Sequence, residues 1–189
     1  MVVRMVFSSL VLVLLASMNG CGGSGDGDPS AEMDREESSA QGISEEGVTL
    51  EWELAGDEVK FSVSAPTTGW LAVGFGGESA MLEADIVIGY VEHGEVFISD
   101  QWGDGYTSHS SDVTLGGTSD AVALGGSEED GRTSISFIRP ISTGDALDHQ
   151  LGTGDPHRVI IAYGQEGADD FAGRHRWVET YEIVLVPEN

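Results

Sequence analysis

Residues 48–54 (VTLEWEL) and 59–65 (VKFSVSA) alternate apolar and polar side chains, with Gly56 and Asp57 between them. A period of two predicts half-buried strands, and the Gly-Asp pair predicts a hairpin joining them. Residues 66–69 (PTTG) make the next turn. Residues 70–75 and 86–91 are denser in apolar side chains, as in strands buried on both faces in the middle of a sheet. A tight turn at 92–95 (EHGE) leads into a strand at 96–101, and short strands follow at 121–124, 133–138, 157–163 and 177–186. Two long polar loops, 102–119 and 164–174, and an acidic turn at 125–131 separate them. No stretch carries a convincing helical period. The pattern predicts an all-β chain, an immunoglobulin-like β-sandwich of about nine to eleven antiparallel strands.

The first residues break this pattern. Residues 1–20 carry Arg4, then the apolar run LVLVLLA, then small and polar residues, which is the layout of a secretory signal peptide. Cys21 stands where a bacterial lipoprotein signal places its lipidated cysteine, although Asn19 departs from the usual residues before it. The expectation is export with a lipid anchor at Cys21, at a bacterial membrane, the outer membrane facing periplasm or cell surface. Residues 21–47 are Gly/Ser-rich, then acidic, and read as a flexible, self-repelling tether, leaving 48–189 as one domain. The single cysteine excludes an intrachain disulfide and a Cys-x-x-Cys-His haem attachment. A formal net charge of −25, with Lys60 the sole lysine, argues against nucleic acid and against an anionic membrane surface. Membrane contact is expected through Cys21 only.

Several motifs then fall into order. Residues 69–91 contain Gly-Trp-x-Ala-x-Gly-Phe-Gly, then Met81, then Ala84-Asp85 and Gly89; residues 136–145 read SFIRPISTGD, and 159–164 read VIIAYG. Their sequence and spacing over residues 48–187 resemble the DOMON domain family, of the haem b-binding cytochrome type. In haem-binding members a methionine at the place of Met81 is an axial ligand, and the second ligand lies in the loop after the penultimate strand, where this chain has His175. The resemblance therefore implies one non-covalent haem b held between Met81 and His175. It also implies an apolar slot, with Trp70, Phe75, Tyr90, Trp102, Tyr163 and Trp177 as candidates because they flank the two ligand loops. Arg174 and Arg176 bracket His175 and could pair with propionates. With both axial positions filled, the implied work is electron transfer between unidentified redox proteins. A basic face on such a partner would suit the acidic surface.

Other chemistry is not supported. There is no Gly-x-Ser-x-Gly element and no Ser/His/Asp set with supportive spacing, so the chain is not read as an enzyme. His149, Asp155 and His157 match no metal-ligand spacing. His93 falls in a turn and His109 in a Ser-rich loop, so both compete poorly with His175. Arg139 is read as structural, paired with Asp145 or Asp148. The alternative from another class is a DOMON-type module that binds a sugar or other small ligand without redox work. Such a module would want aromatic platforms and inward-pointing polar groups, and would have no need of the Met81–His175 pair.

Overall fold

The computed structural model describes residues 41–187, together with the backbone of Arg4 and Met5. The rest of the leader, Cys21 and the tether up to residue 40 lie outside the described residues. The chain folds as two sheets. The larger runs β1 (Arg4–Met5), β12 (Trp177–Val184), β11 (Pro156–Tyr163), β5 (Leu71–Ser79), β6 (Leu82–Glu92), β7 (Glu95–Trp102) and β8 (Ser110–Ser111). The smaller runs β2 (Gln41–Glu45), β3 (Val48–Ala55), β4 (Glu58–Ala65), β10 (Arg132–Pro140) and β9 (Val122–Glu129). Apart from β1 against β12, every pairing is antiparallel. The expected β-sandwich is what forms.

Alternation decides what fills the space between the sheets. Leu50, Trp52, Phe61, Val63, Ile135 and Phe137 of the smaller sheet face Leu71, Val73, Phe75, Val87, Val159, Ile161 and Tyr163 of the larger. Phe61 lies at the centre, its ring 5.0 Å from that of Phe75 and 5.3 Å from that of Phe137. The larger sheet is also apolar on its outer face, where Trp70, Ala72, Ile86, Ile88 and Ala162 form a second cluster. A sheet apolar on both faces needs a cover, and loops provide it: Ala168 and Phe171 from the 164–176 loop pack on this outer cluster.

Two differences from the sequence expectation are informative. β2 falls inside the stretch read as tether: Ile43 is buried in the core, and the strand is turned onto β3 through Glu46 and Gly47, both at positive φ. One buried side chain among acidic and small residues is too weak a period to see in sequence. Within the 102–119 loop, the short β8 is followed by a single helical turn, α1 (Asp112–Leu115).

Candidate functional site

Met81 sits at the tip of the β5–β6 hairpin, in the two-residue turn between Ser79 and Leu82. The hairpin is irregular: a bulge follows Gly76, and Ala80 and Glu83 on either side of Met81 take positive φ. Left-handed backbone at non-glycine residues is costly and must be held by its surroundings. Gly103 holds it. Glu83 N–H donates to Gly103 O at 2.8 Å, Gly103 N–H donates to Ala84 O at 2.8 Å, and Ala84 N–H donates to Met81 O at 3.0 Å. A side chain at Gly103 would place its Cβ 1.6 Å from Met81 O, so only glycine lets the two segments meet. Arg158 braces the bulge from the sheet face, donating to Gly76 O at 2.5 Å.

His175 lies in the 164–176 loop, which is tied down at both ends. Gly164 N–H donates to Trp70 O at 2.8 Å and Arg176 N–H to Tyr163 O at 2.8 Å; in between, Trp70 N–H donates to Ala168 O at 3.0 Å. Gly69 is the counterpart of Gly103, since a Cβ there would lie 2.1 Å from Gln165 O. The loop therefore crosses the outer face of the larger sheet instead of swinging away from it.

Between these two loops and the sheet is a cavity of about 1030 Å³. Its floor is Trp70, Ala72, Gly74, Ile86, Ile88, Ile160 and Ala162, and its walls include Ala80, Met81, Tyr106, Thr107, His109, Arg158, Arg174 and His175. Small residues at 72, 74 and 162 leave the floor open over two neighbouring strands, β5 and β11. The volume is at the upper end for small-molecule and cofactor sites. Met81 and His175, far apart in sequence, line the same space. Burial, and next the Arg174 charge, hold the His175 imidazole below its usual range. It is thus neutral at pH 7, with a ring nitrogen lone pair available to a metal. A thioether, a neutral imidazole, an apolar floor and two guanidinium groups form a donor set and slot that fit a b-type haem.

The remaining candidates separate by pleat. Trp70 and Arg174 line the cavity. Phe75 does not, because it shares the inner face with Leu71 and Val73 and belongs to the sandwich core. Tyr163 is also an inner-face residue, and Trp177 stacks on it with ring centroids 5.7 Å apart, so the pair closes one end of the core. Trp102 stacks on His149 at 5.6 Å on the inner side of β7. Tyr90 is on the outer face but is covered by Phe97 and Phe171, at 5.0 and 5.1 Å. Arg176 points away and pairs with Glu166 at 2.6 Å. Flanking a ligand loop in sequence did not distinguish the two faces of a strand.

Arg158 and His109 are among the cavity residues that sequence reasoning did not place there. Arg158 follows from the period of two, since it shares its face with Ile160 and Ala162. His109 carries no such signal: β8 pairs with β7 through Gln101↔Ser111 and Trp102↔Ser110, which folds the preceding loop back onto the outer face. Its Nδ1 contacts Gln101 Oε1, and burial lowers its pKa. His149, Asp155 and His157 do not assemble into a metal-binding group among the described residues. Arg139, expected to pair with Asp145 or Asp148, does pair with Asp148, at 3.6 Å, and makes its closest contact with Asp85, which sequence did not offer.

Comparison with known proteins agrees with this architecture. The chain is 29% identical over 140 residues to DBH-like monooxygenase protein 2 of Mus musculus, covering 72% of this chain and 22% of that protein. It is 31% identical over 121 residues to DBH-like monooxygenase protein 1 of Homo sapiens, covering 64% and 19%. The chain thus spans about a fifth of the length of these curated relatives. Among solved structures, the cytochrome b domain of pyranose dehydrogenase from Coprinopsis cinerea superposes with a TM-score of 0.55 at 19% identity, covering 72% of this chain and 75% of that one. The cytochrome domain of Myriococcum thermophilum cellobiose dehydrogenase gives 0.58 at 14% identity, covering 77% and 81%. At such identities the likeness concerns the fold. A family model described as DOMON domain matches residues 44–164, a stretch that takes in Met81 and ends before His175, and the chain belongs to that family.

Proposed function

We propose that this DOMON domain is a b-type cytochrome module that carries electrons. The observation that carries the reading is that Met81 and His175, on separate anchored loops, line one cavity over an apolar sheet face. Haem bound there would supply a one-electron couple, its potential raised by Met/His ligation relative to two histidines. The chain's own residues do the rest. Met81 and His175 would hold the iron through a thioether sulfur and an imidazole nitrogen, and the chemistry supplied would be electron transfer without substrate binding at the metal. Ala72, Gly74 and Ala162 leave room for a flat ring, Trp70 lines the same floor, and Arg174 and Arg158 would offer positive charge to carboxylates. That two structural neighbours are cytochrome domains supports the same reading. The monooxygenase names of the mouse and human relatives belong to proteins of which the matched stretch is a small part.

Donor and acceptor would be other proteins, docking through a basic face onto this acidic surface with salt-sensitive association. The leader-like residues 1–20 and Cys21 support export and a lipid anchor. No described helix is long and apolar enough to cross a membrane. The test is a haem titration of the purified chain, followed by spectra of the oxidised and reduced forms. One equivalent bound, with a sharp Soret band and split visible bands on reduction, is expected. A folded protein that refuses haem but binds sugars would replace this reading with the small-ligand module.

A further inference from the structure

The pleat that fills the core with apolar side chains also delivers charges to one end of it. Arg139 follows Ile135 and Phe137 on the inner face of β10, and Asp85 and Asp100 share inner faces with Val87 on β6 and Ile98 on β7. Asp112 opens α1 and Asp148 comes from the loop after β10. All four carboxylates are shielded: Asp85 and Asp112 are 0% exposed, Asp100 is 4% exposed, and the Asp148 side chain is 2% exposed. Among the described residues Arg139 is the one guanidinium paired with them. Asp85 Oδ2 takes its contact and the His149 N–H, and Asp100 Oδ2 accepts from the N–H groups of Asp120 and Ala121.

The remaining oxygens are left over. Among the described residues Asp85 Oδ1, Asp100 Oδ1 and both oxygens of Asp112 are buried with no hydrogen-bond partner, while Asp148 has the Arg139 guanidinium at 3.6 Å and the Thr143 hydroxyl beside it. An unpaired buried charge is strongly disfavoured, and four carboxylates against one guanidinium leave three negative charges uncompensated if all ionise. Burial, and then mutual repulsion, push Asp112 up to about 7; burial above all pushes Asp148 up to about 6. Asp85, Asp100 and Asp148 each offer an oxygen within 4.8 Å of the others. Oxygens about 2.3–2.6 Å from a common calcium ion span at most about 5 Å, and a cage of protein carboxylates suits calcium better than magnesium, which gives up its waters reluctantly.

We propose that Asp85, Asp100 and Asp148 bind a calcium ion, with Asp112 adding buried negative charge beside them, and that this ion braces the turn that presents Met81. The link is covalent and short. Asp85 follows Ala84, whose N–H holds Met81 O and whose carbonyl holds Gly103; Asp100 lies on the strand that runs into Gly103. His149 adds a second tie, donating its backbone N–H to Asp85 while its ring contacts Glu83 O at 2.8 Å. Fixing the two aspartates therefore fixes both sides of the hydrogen-bonded crossing beneath Met81. The cation site does not depend on the haem reading. Only its consequence for Met81 bears on that site.

The experiment uses the full chain without added haem, stripped with a chelator. Calcium chloride is titrated calorimetrically, melting is followed with and without calcium, and amide exchange is read at Glu83 and Gly103. One ion per chain is expected, with a melting temperature higher by about 5 °C or more at a hundredfold excess over Kd, weaker binding of magnesium, and slower exchange at both amides. Asp148→Asn should lose the calcium response and Asp112→Asn should weaken it. No heat and no shift in melting, or an undiminished response in both variants, would overturn the site. Calcium binding that leaves exchange at Glu83 and Gly103 unchanged would overturn the brace. Because haem is absent throughout, none of these outcomes depends on whether the cavity takes it.

Discussion

Replacing Arg139 by methionine isolates the electrostatics at the polar end of the sandwich. The side chain is 2% exposed, contacts the fully buried Asp85, donates to His149 O at 3.2 Å, and lies 5.1 Å from the centre of the Phe75 ring. Methionine keeps the apolar contact with Phe75 and removes the charge. Asp85 then retains only the His149 N–H, with Asp100, Asp112 and Asp148 close by and no cation among them. Breaking a buried pair from one side costs about 3–5 kcal/mol, a large part of the about 5–15 kcal/mol that stabilises a domain. Urea unfolding with chelator present, at constant m, is the assay. In the Asp85→Asn/Arg139→Met double variant both partners are neutral, and more than about 1.5 kcal/mol of the loss should return. A single-variant loss below about 1 kcal/mol, or a double variant no more stable than Arg139→Met, would refute the view that Asp85 depends on this cation.

Three further outcomes follow from the geometry. Gly74→Leu should fold, because a Cβ there meets Ile160 and Ile86 at an ordinary 3.5 Å, but its side chain would rise into the cavity floor; haem affinity should fall at least tenfold with a melting temperature near that of the parent. Gly103→Ala should disturb the Met81 turn directly, since its Cβ would lie 1.6 Å from Met81 O; a cost of about 1–3 kcal/mol in urea unfolding and altered amide shifts at Glu83 and Ala84 are expected. Asp104 is held below its usual 3.8 by the hydroxyls of Ser108, at 2.6 Å, and Ser110, at 2.7 Å. A depressed carboxyl contributes order that is complete above 3.8 and lost as pH falls through its lower value. Acidification should therefore loosen the loop bearing His109 only below pH 3.8, and Ser108→Ala should move that midpoint upward, read by amide shifts.

Much of the fold was legible because it rests on a period of two. Alternation in residues 48–65 and the dense apolar runs at 70–75 and 86–91 correspond to strands with one and two buried faces, respectively. Met81 stood out as a thioether between two such runs. What sequence could not resolve was side. Trp70 directly precedes β5 and Phe75 lies on it, yet the alternation of side chains sends one to the cavity and the other to the core. His109 and the buried aspartates were hidden for a different reason. Their neighbours come from distant strands, so only the register of β6 against β7 and the return of the 102–119 loop bring them together. In an acidic chain, four buried carboxylates look like any other four.

The most direct test of the account compares reduced-minus-oxidised spectra of haem-loaded wild type, Met81→Ala, His175→Ala and His109→Ala. The account predicts that the first two substitutions each abolish the six-coordinate low-spin spectrum, while His109→Ala preserves it because His109 lines the cavity without binding iron. A low-spin spectrum retained in His175→Ala, or lost in His109→Ala, would contradict the assignment of Met81 and His175 as the two axial ligands.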